Sequence, residues 1–139
     1  VRKPDEEIVN MQSGQALKVL GYRGILAWQK AMNLVENVYR QTRSFPADER
    51  FGLTSQIQRA AVSIPSNIAE GSGRNSQPEV SRFISIAYGS LCELETQLAI
   101  AQRLGYLNES SFNHLFAETT EVGKLLRGFQ KSLKSSAAT

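Results

Sequence analysis

The chain is 139 residues long, 15.4 kDa and 41% hydrophobic, which suffices for one domain around a single core. Lys+Arg 16 against Asp+Glu 13 leave a formal charge of +3 and a pI near 9.2, a surplus that permits contact with nucleic acid without requiring it. One cysteine, Cys92, excludes an internal disulfide and points to a reducing compartment, the cytoplasm; no stretch reads as a signal peptide or is apolar enough to cross a membrane.

Residues 1–23 show no sustained period, and Gly14, Gly21 and Gly24 interrupt their apolar cluster. They read as an extension, disordered or draped on the surface, and either native or partly left over from expression. From Ile25 to Thr42, Trp28, Ala31, Val35, Val38 and Thr42 recur in steps of three and four, widened by Met32, Leu34 and Tyr39, and predict a first amphipathic helix. Pro46 ends it, Asp48 is the expected cap of the next helix, and Phe45 and Phe51 are expected to plug that end of the core.

A second helix carries Leu53, Ile57, Ala60, Ile64 and Ile68 on one face, so the period runs through Pro65. A proline there removes one backbone bond, at a cost of about 3 kcal/mol in an ordinary helix interior. Either Ser63, Ser66 and Asn67 satisfy the freed groups or the helix breaks. Gly71 and Gly73 are expected to stop it in left-handed geometry. Ser76-Gln77-Pro78-Glu79 is a helix start, with a serine cap and a proline in the first turn.

The third helix places Val80, Ile84, Ala87, Leu91, Leu94, Leu98 and Ala101 in alternating steps of four and three, a heptad seam that Gly105 closes. Asn108 then caps a fourth helix with the matching seam Phe112, Leu115, Thr119, Val122, Leu126, Phe129 and Leu133. The expected fold is all-α, an antiparallel up-down-up-down four-helix bundle over residues 24–134, with a frayed tail at 135–139. Phe83, Ile86 and Tyr88 lie off the third seam, and so wide an apolar arc favours a homo-oligomer.

In such a bundle the start of helix one, the end of helix two, the start of helix three and the end of helix four share a pole. Arg23, Lys30, Arg74, Arg82, Arg127, Lys131 and Lys134 collect there against Glu70 and Glu79, and Lys124, Arg127, Lys131 and Lys134 follow one helical face. A cationic surface of this kind neutralises phosphates and releases counterions. The plainer explanation is that cations in a last turn suit the helix dipole. Asn67, Glu70, Arg74 and Arg82 form a second group, read as a structural network or a subunit contact.

Other chemistries find little support. A carboxylate di-iron site needs two Glu-x-x-His pairs, whereas His114 stands alone and is placed to pair with Glu118. Cys92 has no histidine or cation beside it and reads as core or interface packing. Gly71-Ser72-Gly73 lacks the residues of a phosphate-cradling loop or a nucleophile elbow. Trp28, Tyr39, Tyr88 and Tyr106 could stack on bases, but helical spacing assigns all except Tyr22 and Tyr106 to core or interface. No catalytic residue, metal ligand or cofactor is expected.

Two stretches are too particular for a generic amphipathic pattern. They are LAWQKAMNLVENVYRQTRSFPADERFGLTSQIQRAAVSIPSNIAEGSGR and EVSRFISIAYGSLCELETQL. Over residues 24–133 the chain resembles the bacterial four-helix-bundle proteins encoded in intervening sequences of 23S rRNA genes, sometimes labelled ribosomal-protein-like. The resemblance implies a protomer that assembles into a homo-oligomeric barrel, a pentamer. It also implies kinship with the accessory proteins of diversity-generating retroelements, which bind nucleic acid and associate with a reverse transcriptase. The function expected is therefore a non-enzymatic, oligomeric RNA- or DNA-binding protein, with RNA favoured. The alternative is a scaffold for a protein partner such as a reverse transcriptase.

Overall fold

The computed structural model describes residues 21–137, so the expected extension lies outside the described residues except for its last three positions. Those three belong to a 3-10 turn, Gly21–Gly24, tied to the first helix by Gln29, whose side chain donates to the Arg23 carbonyl at 2.7 Å. Tyr22 meets Trp28 edge to face, centroids 5.4 Å apart.

Four α-helices follow, and no strand occurs among the described residues. They are α1 (Leu26–Thr42), α2 (Leu53–Ser72), α3 (Gln77–Arg103) and α4 (Glu109–Ala137), the last continuing past Ser135, where fraying is expected. Each helix packs against the next in sequence, and α1 closes the ring against α4. Gly71 of α2 lies against Phe83 of α3 and Ser63 against Ser90. Between α3 and α4, Ser85 meets Gln130 and Glu95 meets Thr119.

The apolar seams become the core. Leu34, Val38, Ile57, Ile64, Ile68, Ile84, Leu91, Leu94, Leu98, Leu115, Val122 and Leu126 are fully buried. In α1 the buried line is Ala27, Ala31, Leu34, Val38 and Thr42, while Met32 and Tyr39 stay largely exposed. Thr119, completely buried in the α4 seam, has its one hydroxyl proton between Glu95 and the Phe116 carbonyl, each 2.8 Å away. A buried hydroxyl is tolerated where its donor is used.

Helix ends show which local signals prevailed. Ser76 accepts from the Glu79 amide and Asn108 from the Ser111 amide, as their positions predict. Gly105 adopts φ +80, and the amides of Gly105 and Tyr106 bond back to Gln102 and Ala101, closing α3 in a Schellman turn. Asp48, by contrast, caps nothing. It sits in a 3-10 turn, Ala47–Glu49, and α2 starts after Gly52, where Glu49 Oε1 accepts from the Leu53 amide at 3.4 Å. Phe51 is 88% exposed with the Arg50 guanidinium over its ring, so only Phe45 plugs that end of the core.

Around Pro65 the helix continues unbroken. Ser66 donates to the Val62 carbonyl at 2.8 Å and Asn67 to that of Ser63 at 2.7 Å, one and two residues past the Ala61 carbonyl whose helical donor Pro65 lacks, so these side chains reinforce the ladder beside the gap rather than fill it. Gly71 and Gly73 are not left-handed. Gly73 has φ -86, and Gly71 is a buried helical position where an added Cβ would stand 2.7 Å from the Phe83 Cβ. Glycine is needed there for space, because α3 crosses α2 at contact distance just before the corner.

Candidate nucleic-acid interface

At one end of the molecule Tyr22 and Ile25, Ser72 and Gly73, Val80, and Phe129 with Leu133 line a common cavity of about 440 Å³. The start of α1, the end of α2, the start of α3 and the end of α4 therefore meet at one pole. Arg23, Arg74, Arg82, Lys131 and Lys134 are exposed on or beside those segments, with Lys124 and Arg127 further down the outer face of α4. Carboxylates on the same segments are Glu70 and Glu79. At the opposite end Arg40, Arg43, Arg50 and Arg103 are offset by Glu36, Asp48, Glu49 and Glu109, so the charge surplus belongs to the first pole.

The cations differ in how they are held. Lys30 pairs with Glu121 of α4 at 3.4 Å, which spends its charge on a bridge between helices. Arg74 pairs with Glu70 at 3.2 Å and lies 4.7 Å over the Phe83 ring. Both partners of the Arg74–Glu70 pair are well exposed, so it is worth about 0–1 kcal/mol. Arg82 also faces Phe83, at 5.9 Å. Arg127 stacks on Tyr88 at 3.7 Å and donates to Gln130 at 3.0 Å. Among the described residues Arg23, Arg82, Lys124, Lys131 and Lys134 have no carboxylate within 4.0 Å.

The expected network of Asn67, Glu70, Arg74 and Arg82 divides into two unconnected parts. Glu70 and Arg74 form the surface pair, Arg82 reaches Phe83 rather than Glu70, and Asn67 faces elsewhere. The Asn67 amide donates to the Ser63 carbonyl and to Ser63 Oγ, which in turn bonds Ser90 Oγ at 2.8 Å. This second group braces α2 against α3 near Pro65. Cys92 is exposed rather than in the core, and His114 is a surface residue 3.6 Å from Glu118. Tyr106 lies at the far pole, packed on Phe45 and donating to Glu49 at 3.1 Å, so it offers no free face to a base.

The family model described as 23S rRNA-intervening sequence protein matches residues 23–128, well over half of the chain. The chain belongs to that family. A solved structure gives the same fold, the crystal structure of a protein with unknown function from the S23 ribosomal protein family of Bacteroides thetaiotaomicron. It is 23% identical, with a TM-score of 0.69 over 76% of this chain and 99% of that one. No curated protein matches the chain.

In this family member the matched stretch takes in Arg23, Lys30, Asn67, Glu70, Arg74, Arg82, Lys124 and Arg127, and stops short of Lys131 and Lys134. Sequence reading missed the parts that position the cations. Gln130 donates to Ser85 Oγ at 2.7 Å and to the Ser81 carbonyl at 3.3 Å, anchoring α4 to α3 while its oxygen holds Arg127 over Tyr88. A glutamine one step off an apolar seam is the only local sign. The cavity was equally hidden, since its lining comes from all four helix ends. Among the described residues no three of His, Cys, Asp and Glu gather as metal ligands would, and no helix is long and apolar enough to cross a membrane.

Proposed function

We propose that this chain is a non-enzymatic, oligomeric nucleic-acid-binding protein that grips phosphates, those of RNA before DNA, through its basic pole. The observation that carries the reading is the unequal charge of the two ends: Arg23, Arg74, Arg82, Lys131 and Lys134 stand exposed against Glu70 and Glu79 at one, whereas Arg40, Arg43, Arg50 and Arg103 are balanced by Glu36, Asp48, Glu49 and Glu109 at the other. Exposed cations unspent on carboxylates retain their attraction for phosphate. Contacts that climb α2 as they descend α3, and climb α3 as they descend α4, support an antiparallel up-down-up-down bundle. The reducing cytoplasm suits its single cysteine.

Assembly into a homo-oligomeric barrel, pentameric by family resemblance, is supported by apolar side chains left exposed on the rods. Tyr39 and Val62 border one groove between α1 and α2, with Met32 exposed on α1, and Ile86 and Ile100 are exposed on α3. The same groove favours a second reading, a scaffold whose client is a protein such as a reverse transcriptase.

Titration of a labelled RNA strand at several salt concentrations tests the first reading. Binding should weaken steeply with salt, and Arg127→Glu, Lys131→Glu and Lys134→Glu together should abolish it with the bundle still folded. Neutralising three phosphate contacts flattens the salt slope for a single strand by about 2. Arg43→Glu with Arg103→Glu at the opposite pole should leave binding intact. Equal losses from the two poles, or binding retained in the triple variant, would refute it. Native mass measurement reads the assembly, and a single copy at all concentrations would remove the oligomer.

A further inference from the structure

We infer that the cavity at the centre of the basic pole seats one unpaired base of the bound strand, so that the pole discriminates single-stranded RNA from duplex. The inference rests on the phosphate-binding reading above and names the form of nucleic acid the same pole takes. At about 440 Å³ the cavity falls within the ~300–1,000 Å³ of small-molecule sites. That capacity admits a planar ring system.

The lining suits such a ring. Tyr22, Ile25, Val80, Phe129 and Leu133 are apolar, and the Ser72 hydroxyl already donates to the Ala69 carbonyl at 2.8 Å. Tyr22 is 41% exposed, with its ring fixed 5.4 Å from that of Trp28, which sets a positioned aromatic side chain at the cavity. Base–aromatic stacking needs this arrangement and tolerates any base, because every base has a π-face. Sequence preference is therefore weak.

Charge selects the occupant. Arg23 follows Tyr22 in the chain, Arg74 follows Gly73, Lys134 follows Leu133, and Arg82 lies two positions after Val80. Against them stand Glu70, already paired with Arg74, and Glu79 beside Val80. An apolar seat within a cationic rim fits a ligand with a flat apolar body and anionic groups on either side. A nucleotide within a strand has that form. In a duplex each base is stacked and paired, and extruding one costs a few kcal/mol that the cavity must repay.

The full chain is titrated with a short RNA strand carrying one 2-aminopurine, and with the same strand annealed to its complement. The single strand should bind about tenfold tighter, the low end of what stacking one base supplies, and 2-aminopurine emission should fall on binding. Leu133→Trp fills the cavity from α4 and Val80→Phe from α3; each should bring the two affinities together, with folding checked by thermal melt. Equal affinity for the two forms in the unaltered protein, or a ratio that survives both fillers, overturns the seat and leaves the phosphate reading standing. Binding of neither form overturns both. Loss of the quenching to laurate but not to unlabelled strand assigns the cavity to an apolar tail and overturns the inference.

Discussion

Replacing Gly71 with alanine sets two effects of known sign against each other. In an open helix interior the change stabilises by about 0.5–1 kcal/mol, because glycine loses more backbone freedom on folding. At Gly71 the new methyl carbon would lie 2.7 Å from the Phe83 Cβ and 3.4 Å from the Val80 carbonyl oxygen. No rotamer change moves a Cβ, so α2 and α3 must part by several tenths of an ångström just before the corner. Overpacking of this kind costs about 1–3 kcal/mol, and the net expectation is a loss of about 1–2 kcal/mol, or several degrees of melting temperature. Gly89 and Gly128 are the internal standards, since an added Cβ there meets nothing within 4 Å and alanine should stabilise. Thermal and urea melts of the three variants decide the matter. Gly71→Ala at or above the wild-type midpoint, in step with Gly128→Ala, would refute the claim that glycine is there for space.

The hydrogen bond to Glu49 foremost, then burial and the charges of Glu49 and Asp48, raise the Tyr106 phenol above its ordinary value of 10.0. The stabilisation is then complete below about pH 10 and disappears as pH climbs through the raised value. Phenolate absorbance should show one late-titrating tyrosine that vanishes in Tyr106→Phe; loss of an early component instead would contradict this. Gln130→Ala and Ser85→Ala should couple by about 1 kcal/mol in a double-mutant cycle, reflecting their 2.7 Å bond between α4 and α3. Simple additivity would mean the bond contributes nothing.

The long seams of α3 and α4 were legible because burial follows the period of the helix and period is a property of neighbours in sequence. Ser76, Gly105 and Asn108 were legible for the same reason, each acting within a few residues. Where reading failed, the deciding contact came from far along the chain. Gly71 carries the local signature of a helix stop, yet its place is set by Phe83 of the next helix. Asp48 looks like a cap, but the 3-10 turn and Gly52 take over the approach to α2, with Glu49 engaged by Tyr106. Phe51 and Cys92 carry the composition of core residues and face outward. The basic pole was foreseen as a collection of charges. Its division into spent and unspent cations was not, because Glu121 for Lys30 and Tyr88 for Arg127 are assigned only by packing.

The helix dipole is the plainer explanation of the cations on α4, and it reaches only part of them. The dipole acts within about one turn of the end and stabilises a cation there by about 0.3–1 kcal/mol. Lys134 lies in the last turn of α4, which ends at Ala137, so the dipole accounts for it. Lys131 stands about one turn earlier and Lys124 about three, on the exposed face that also carries Arg127 and Lys134. Like charges three or four apart on a helix destabilise it, by about 0.2–0.5 kcal/mol per pair. Lys134→Gln should therefore lower stability slightly, whereas Lys124→Gln and Lys131→Gln should leave it unchanged or raise it. All three should weaken RNA binding and reduce its salt dependence. Cations whose removal costs the fold nothing are free to meet a ligand outside it. If each substitution instead lowered the melting temperature and none altered strand affinity, the cations would belong to the fold and the interface would lie elsewhere.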